Sequence, residues 1–325
     1  MRTAPRWWYR IAMKRLGLIA VLMTAVVAFS VSEASSAESG RFFFSGDGRL
    51  RVTSLKNGKS FEGIYRVGAG RYDPDAVESL CEVFDAPHDP AFPLLSLRLV
   101  EYMDFLEDRL LPGTLIRINS GYRPPAYNDR LRGKGALAAK ASLHQYGMAV
   151  DLRMDGVSAR RLWETVKELN FGGAGYYHGE SVHIDVGPAR SWDETTSGVG
   201  TGISDDNKLI GMVTDYDLYR PGDRVVLRFI RMTAFPIGVS AVFSLDRVGS
   251  SGESTPASAF RPAFATDADS ACPQFSNIEQ MARIRWRLPD DLPAGRYAIR
   301  ADFCDSRWEK MPTSVATPAF ELISP

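Results

Sequence analysis

Residues 142–151 read SLHQYGMAVD, with His144 and Asp151 seven positions apart and Gly147 between them. In a regular strand, residues an odd number apart face opposite sides. Gly147 lifts that restriction. If His144 lies on the approach to a strand and the chain bends at the glycine, Ala149 and Asp151 share its face while Val150 and Leu152 turn to the core. Downstream, GESVHIDVG sets His183 and Asp185 on one face of a second strand and Val182, Ile184 and Val186 on the other. If the two strands are neighbours, His144, Asp151 and His183 converge. Two imidazole nitrogens and a carboxylate oxygen make a three-ligand shell for Zn²⁺ at about 2.0–2.2 Å, with the fourth position left to water as in catalytic sites.

Such an ion lowers the pKa of bound water, but amide hydrolysis also needs a group that takes a proton and returns one to the leaving amine. Glu180, three residues before His183, is the first candidate and is expected on the loop leading into the strand; His178 and Asp185 are the alternatives. Asp185, in register with His183, can also serve as hydrogen-bond partner to a ligand. In SGYRPP, Arg123 sits on a short proline-stiffened turn, where its planar fork suits a carboxylate or a developing oxyanion. Tyr122 beside it is a further candidate for substrate contact. Ser142 stands near His144 and Asp151 without the nucleophile-elbow pattern of a serine hydrolase, so it is read as a supporting hydroxyl. Gly172, Gly173 and Gly175 lack the Lys-Ser/Thr of a phosphate loop and are read as turn glycines that let backbone pass close to the site.

The elements that must position these residues are legible in outline. RFFFSGDGRLRVTSL and FEGIYRVG are strand-like runs around the turn signal KNGK. Helices are expected over DPDAVESLCEVF, from Ser96 with Leu99, Met103, Leu106 and Leu110 as one apolar stripe, and from the N-cap Ser158 to Asn170. LIRINSGYRPP reads as a strand ending in a turn, because two prolines prevent continued pairing. SWDETTSGVGTGISDDNK is polar and small, as linkers are. Beyond it come alternating runs between Gly/Pro turns. The fold class expected is therefore α+β: an antiparallel sheet with helices carrying a zinc site, followed by an immunoglobulin-like β-sandwich. The boundaries are a signal peptide at 1–37, a zinc peptidase domain with an N-terminal hairpin at 38–192, a linker at 193–208 and the sandwich at 209–325.

Length, about two domains' worth at 325 residues, agrees with that division. Charged residues at 24% and hydrophobic residues at 45% describe a folded globular chain. Basic and acidic residues balance at 39 each, yet Arg2, Arg6, Arg10, Lys14 and Arg15 precede the apolar run Leu16–Val31, which small residues follow. This is secretory leader architecture, and membrane association is expected only if the leader stays uncleaved. The remainder is mildly acidic and lacks the footprint of a nucleic-acid binder. Export makes Cys272 and Cys304, both C-terminal, a disulfide candidate, whereas Cys81 in an apolar helical stretch is read as a buried hydrophobe.

Ser142 to Asp151 as S-x-H-x-x-G-x-A-x-D, Glu180 to His183 as E-x-x-H and Ser120 to Arg123 as S-G-Y-R together resemble the zinc D-Ala-D-Ala peptidases. That family embraces carboxypeptidases, dipeptidases and murein endopeptidases related to lysostaphin and the hedgehog domain. The resemblance spans roughly residues 95–192, and GGAGYYHGESVHIDVGPARSW is most similar to the periplasmic murein endopeptidase branch. It implies zinc on His144, Asp151 and His183, the general base at Glu180 and transition-state contact from Arg123. One departure is that Ser181 and Val182 stand where some members carry His-x-His or an aromatic residue. The function expected is an exported or periplasmic zinc peptidase, of murein DD-endopeptidase or D-alanyl-D-alanine carboxypeptidase type, whose partners are peptidoglycan peptides. The C-terminal region would bind a protein or glycan that the sequence does not identify. The alternatives are a non-catalytic peptidoglycan-binding module of the same fold and a zinc-stabilised secreted signalling or structural domain.

Overall fold

The computed structural model describes residues 40–89, 94–135, 138–264, 270–304 and 307–324. The leader expected at 1–37 lies outside the described residues. Residues 40–325 form one compact unit.

The N-terminal half builds on the strands β1 (Arg49–Ser54), β2 (Ser60–Ile64), β3 (Arg66–Gly68) and β4 (Arg71–Tyr72). The KNGK turn closes the β1–β2 hairpin, with Gly58 at φ 72°. Helix α1 (Pro74–Val83) follows, capped by the Asp73 carboxylate on the Ala76 amide, and then α2 (Leu97–Leu110). β5 (Ile116–Ser120) is the strand expected before SGYRPP. Where the sequence suggested only a turn, the prolines start a helix: α3 (Pro125–Gly133) opens with Pro125 in its first turn. A proline there gives up an amide that has no intrahelical partner anyway.

After a 3-10 turn at Leu143–Tyr146 come β6 (Ala149–Met154), α4 (Ala159–Leu169), β7 (Gly173–Tyr176), β8 (Val182–Asp185) and β9 (Arg190–Asp193). Ser158 caps α4 through its hydroxyl, and Asn170 ends it in the left-handed conformation. Seven strands form one sheet in the order β2-β1-β5-β6-β8-β7-β9. The sheet is mixed rather than antiparallel as expected, because β1 pairs β5 and β7 pairs β9 in parallel. Residue alternation carries no strand direction; the connections set it, and α1 and α2 provide the long crossover that a parallel β1–β5 pair requires.

Among the described residues the C-terminal half is built from strands, with one 3-10 turn at Gln280–Ala282. Strands β10 (Gly211–Thr214) and β12 (Arg224–Ile230) join Ile284–Arg287 in a three-stranded sheet. A second sheet orders β11 (Leu218–Tyr219), Phe320–Leu322, Gly295–Asp302, Phe243–Val248 and Ser254–Phe260. Cys272 and Cys304 are disulfide-bonded, and Cys81 is a buried free thiol.

Candidate metal centre

His144 lies in the 3-10 turn ahead of β6, and Gly147 ends that turn at φ 61°. A Cβ at Gly147 would stand 2.5 Å from the Leu94 carbonyl oxygen, so glycine is required both for the bend and for the close passage of the chain. Beyond the bend, Val150 and Leu152 are fully buried and Asp151 faces the other way. Asp151 and His183 are direct cross-strand partners in the β6–β8 pair, and directly opposed residues share a face. The parity break at Gly147 brings His144 onto that same face.

The three ligand atoms form a nearly equilateral triangle. His144 Nε2 is 3.3 Å from His183 Nδ1, His183 Nδ1 is 3.0 Å from Asp151 Oδ1, and His144 Nε2 is 3.5 Å from Asp151 Oδ1. Tetrahedral coordination with bonds near 2.0–2.1 Å needs ligand separations of about 3.3 Å. Both imidazoles are fixed in the tautomer that aims a lone pair into the triangle. His144 Nδ1–H donates to the Gly121 carbonyl at 2.7 Å, which frees Nε2. His183 Nε2–H donates to Asp185 Oδ2 at 3.0 Å, which frees Nδ1.

Asp185 is fully buried and has no unmet acceptor role. It accepts from the Gly173 amide at 3.1 Å, the Gly187 amide at 2.9 Å, and Arg190 Nη1 and Nη2 at 3.0 and 2.5 Å. Burial would raise its carboxyl, but Arg190 and His183 hold it well below the usual range. The same contest occurs at Asp151, where burial, which would raise its carboxyl, is outweighed by the adjoining imidazoles of His144 and His183. Burial pulls His144 down. At His183 burial is overcome by Asp151 and Asp185, which raise it. A site that draws a proton between two carboxylates is one suited to a cation, and metal binding would release that proton.

Arg123 reaches toward the same carboxylate, with Nη2 4.0 Å from Asp151 Oδ2. Its Nε is buried and has no hydrogen-bond partner, so the guanidinium keeps donor capacity for a ligand. Tyr122 is partly buried beside it. Glu180 stands on the β7–β8 loop as expected, 78% exposed, and is ion-paired with Arg153. Arg153 lies two residues beyond Asp151 on β6, hence on the same face. His178 is exposed on that loop at φ 56°, its ring 4.6 Å from that of Tyr176, and it is not brought into the triangle. Ser142 is buried at the start of the 3-10 turn, where its carbonyl accepts from the Gln145 amide.

Sequence reasoning missed two aromatic residues. Tyr177 hydrogen-bonds Asp151; burial and the nearby carboxylate push its phenol up, so it stays a neutral donor. The Trp192 ring lies 5.0 Å from that of His183. A Cβ at Gly175 would come 2.6 Å from Trp192 and 3.0 Å from His183 Cβ, and this close packing accounts for a glycine in the middle of β7. Only the parallel pairing of β9 with β7 reveals the contact.

Residues 45–192 match the family model described as peptidoglycan L,D-endopeptidase MepK. This segment is similar to that peptidase family. Over 144 residues the chain is 28% identical to the peptidoglycan L,D-endopeptidase MepK of Escherichia coli strain K12, covering 44% of this chain and 79% of that protein. The probable MepK of Haemophilus influenzae is 36% identical over 78 residues, 24% of this chain and 42% of that one. Among solved structures, the sporulation control protein Spo0M of Bacillus subtilis overlaps 35% of the chain at 12% identity and a TM-score of 0.19, too little likeness to inform the fold. The MepK-like segment contains Arg123, His144, Asp151, Glu180 and His183 and ends at residue 192, before the C-terminal strands begin.

Proposed function

We propose that this chain is an exported, zinc-dependent endopeptidase that cuts peptide cross-links or stem peptides of peptidoglycan, with an L,D bond as its target after the names of its relatives. The observation that carries the proposal is the triangle of His144 Nε2, Asp151 Oδ1 and His183 Nδ1, with each imidazole locked from behind. Zinc held there supplies a Lewis acid and a water of lowered pKa. The remaining work falls to side chains. Glu180, kept on the Asp151 face by Arg153, takes the proton from water and returns it to the departing amine. Arg123 and the neutral Tyr177 phenol offer hydrogen bonds to the oxygen that gains charge. Tyr122 and Trp192 flank the bound peptide.

Export is supported by the leader-like sequence and by a disulfide that fits an oxidising compartment. Among the described residues no helix is long and apolar enough to cross a membrane. The reading divides the chain into a peptidase domain at 38–192, a linker at 193–208 and an immunoglobulin-like sandwich at 209–325.

Metal analysis combined with chromatography of digested muropeptides tests the proposal. His144→Ala and His183→Ala are expected to lose bound zinc and activity together. Glu180→Gln is expected to keep zinc and lose roughly 10²–10⁴ in turnover. The products separate an L,D cut from a D,D or carboxypeptidase cut. Full activity of metal-free protein, or zinc binding with no product from any muropeptide, would reject the enzyme.

A further inference from the structure

The C-terminal half touches the turn that carries His144. Arg228 of β12 donates from Nη1 to the Tyr146 carbonyl at 2.7 Å and to the Leu94 carbonyl at 3.5 Å. The Met232 amide donates to the Tyr146 hydroxyl at 2.9 Å. Neither residue lies in the MepK-like segment, which ends at residue 192. We propose that Arg228 and the Met232 amide are positioning groups for the metal centre: by fixing Tyr146 at both its carbonyl and its phenol, the C-terminal half sets the placement of His144.

The turn is short and its own bonds leave one side of it open. His144 O accepts from the Arg123 and Gly147 amides at 3.1 and 3.3 Å, and Gly147 O accepts from the Ser96 amide at 3.0 Å. Tyr146 O, at the end of a 3-10 turn, is the kind of carbonyl that has no partner within the turn itself. Arg228 supplies that partner. Because it also reaches Leu94 O, against which Gly147 packs, the guanidinium ties the two passing segments of chain together at the bend. Burial draws Arg228 down only to about 10, so it is charged at neutral pH and donates to both carbonyls as a cation.

The Tyr146 ring is 1% exposed, so the turn cannot shift without moving a buried aromatic. The chain leaves β12 through Arg231 at φ 60°, a conformation an arginine adopts only under constraint, and the next amide is the one that meets the phenol. Holding the first ligand through its turn is a task that second-sphere contacts perform in metal sites generally, and losing such contacts weakens metal affinity by about 10- to 100-fold.

The inference rests on the zinc reading of the site, and its test has a readout that does not need zinc. Zinc dissociation constants by chelator competition, the visible spectrum of the Co²⁺-loaded protein, and amide hydrogen exchange over residues 143–148 would be compared for the full chain and for Arg228→Met, Arg228→Lys and Tyr146→Phe. Arg228→Met is expected to weaken zinc about 10-fold or more, shift the Co²⁺ bands and speed exchange in the turn, with Arg228→Lys recovering part of each. Tyr146→Phe, which loses the phenol's contacts with the Arg231 and Met232 backbone but keeps the Arg228 contact at the carbonyl, is expected to fall between, and it carries the test should Arg228→Met fail to fold. Unchanged zinc affinity, or unchanged exchange at 143–148, in folded variants would overturn the inference. Failure of the unaltered protein to bind zinc would instead sink the functional reading, and the exchange data would still decide whether Arg228 fixes the turn.

Discussion

Asp151 and Asp185 are the same residue type on the same face of adjoining strands, yet their surroundings give them different work. Asp151 shares its oxygen with two imidazoles and stays partly open, as a ligand must. Asp185 is enclosed by two amides, Arg190 and His183 Nε2, so its charge is spent on orienting His183. Asp185→Asn is therefore expected to leave the three ligands in place while weakening zinc by about 10- to 100-fold, measured by chelator competition. Equal affinity in the variant would show that Asp185 serves only the packing around Arg190. The convergence of His144, Asp151 and His183 was legible because their placement depends on local rules, strand parity and one glycine at a bend. The roles of Tyr177 and Trp192 were not, since each depends on where a loop or a distant strand comes to rest.

The same limit applies to the elements. The stripe of Leu99, Met103, Leu106 and Leu110 correctly marks one buried face of α2, but the helix is buried on most of its circumference. Glu101, Asp104 and Glu107, which in the sequence resemble a solvated face, are all buried, the first two against the Gly48–Tyr72 segment. Arg66 pairs with Glu101 at 2.9 Å, Tyr72 donates to Glu101 at 3.0 Å, and Tyr65 and the Gly48 amide donate to Asp104 at 2.6 and 2.8 Å. Asp104 also gathers with Asp47 and Asp108, but no imidazole joins them. Burial pushes the Asp104 carboxyl up to about 7 despite its hydrogen bonds. The folded chain thus holds a proton that the unfolded chain has released between about pH 4 and 7, so stability falls as pH rises through that window. Asp104→Asn removes this titration. Unfolding free energies by denaturant are expected to show the unaltered protein losing up to about 4 kcal/mol relative to the variant between pH 4 and pH 8. Parallel pH profiles would contradict that origin.

At the scale of the molecule, composition marks 193–208 as a linker, while the contacts that join the two halves lie elsewhere and cannot be read along the chain. Asn207, at the end of that segment, is buried and bonds the Thr233 and Ala234 backbone. Arg98 on α2 meets Asp217 at 2.7 Å, both side chains under a tenth exposed and 119 residues apart in sequence. Asp217 also accepts from the Phe43 amide, so one carboxylate joins three parts of the chain. Removing one partner of a buried pair strands the other charge, at a cost of about 3–5 kcal/mol, whereas replacing both with apolar residues is often near neutral. Asp217→Ala is expected to lower the melting temperature of the whole unit by roughly 10 °C. Arg98→Met combined with Asp217→Leu should recover most of that loss. Because residues 40–325 are one compact unit, calorimetry should show the entire transition moving together. If instead only the C-terminal half melted early and the metal centre stayed intact, the pair would stabilise that half alone and the coupling through Arg228 would have to bear the connection between the halves.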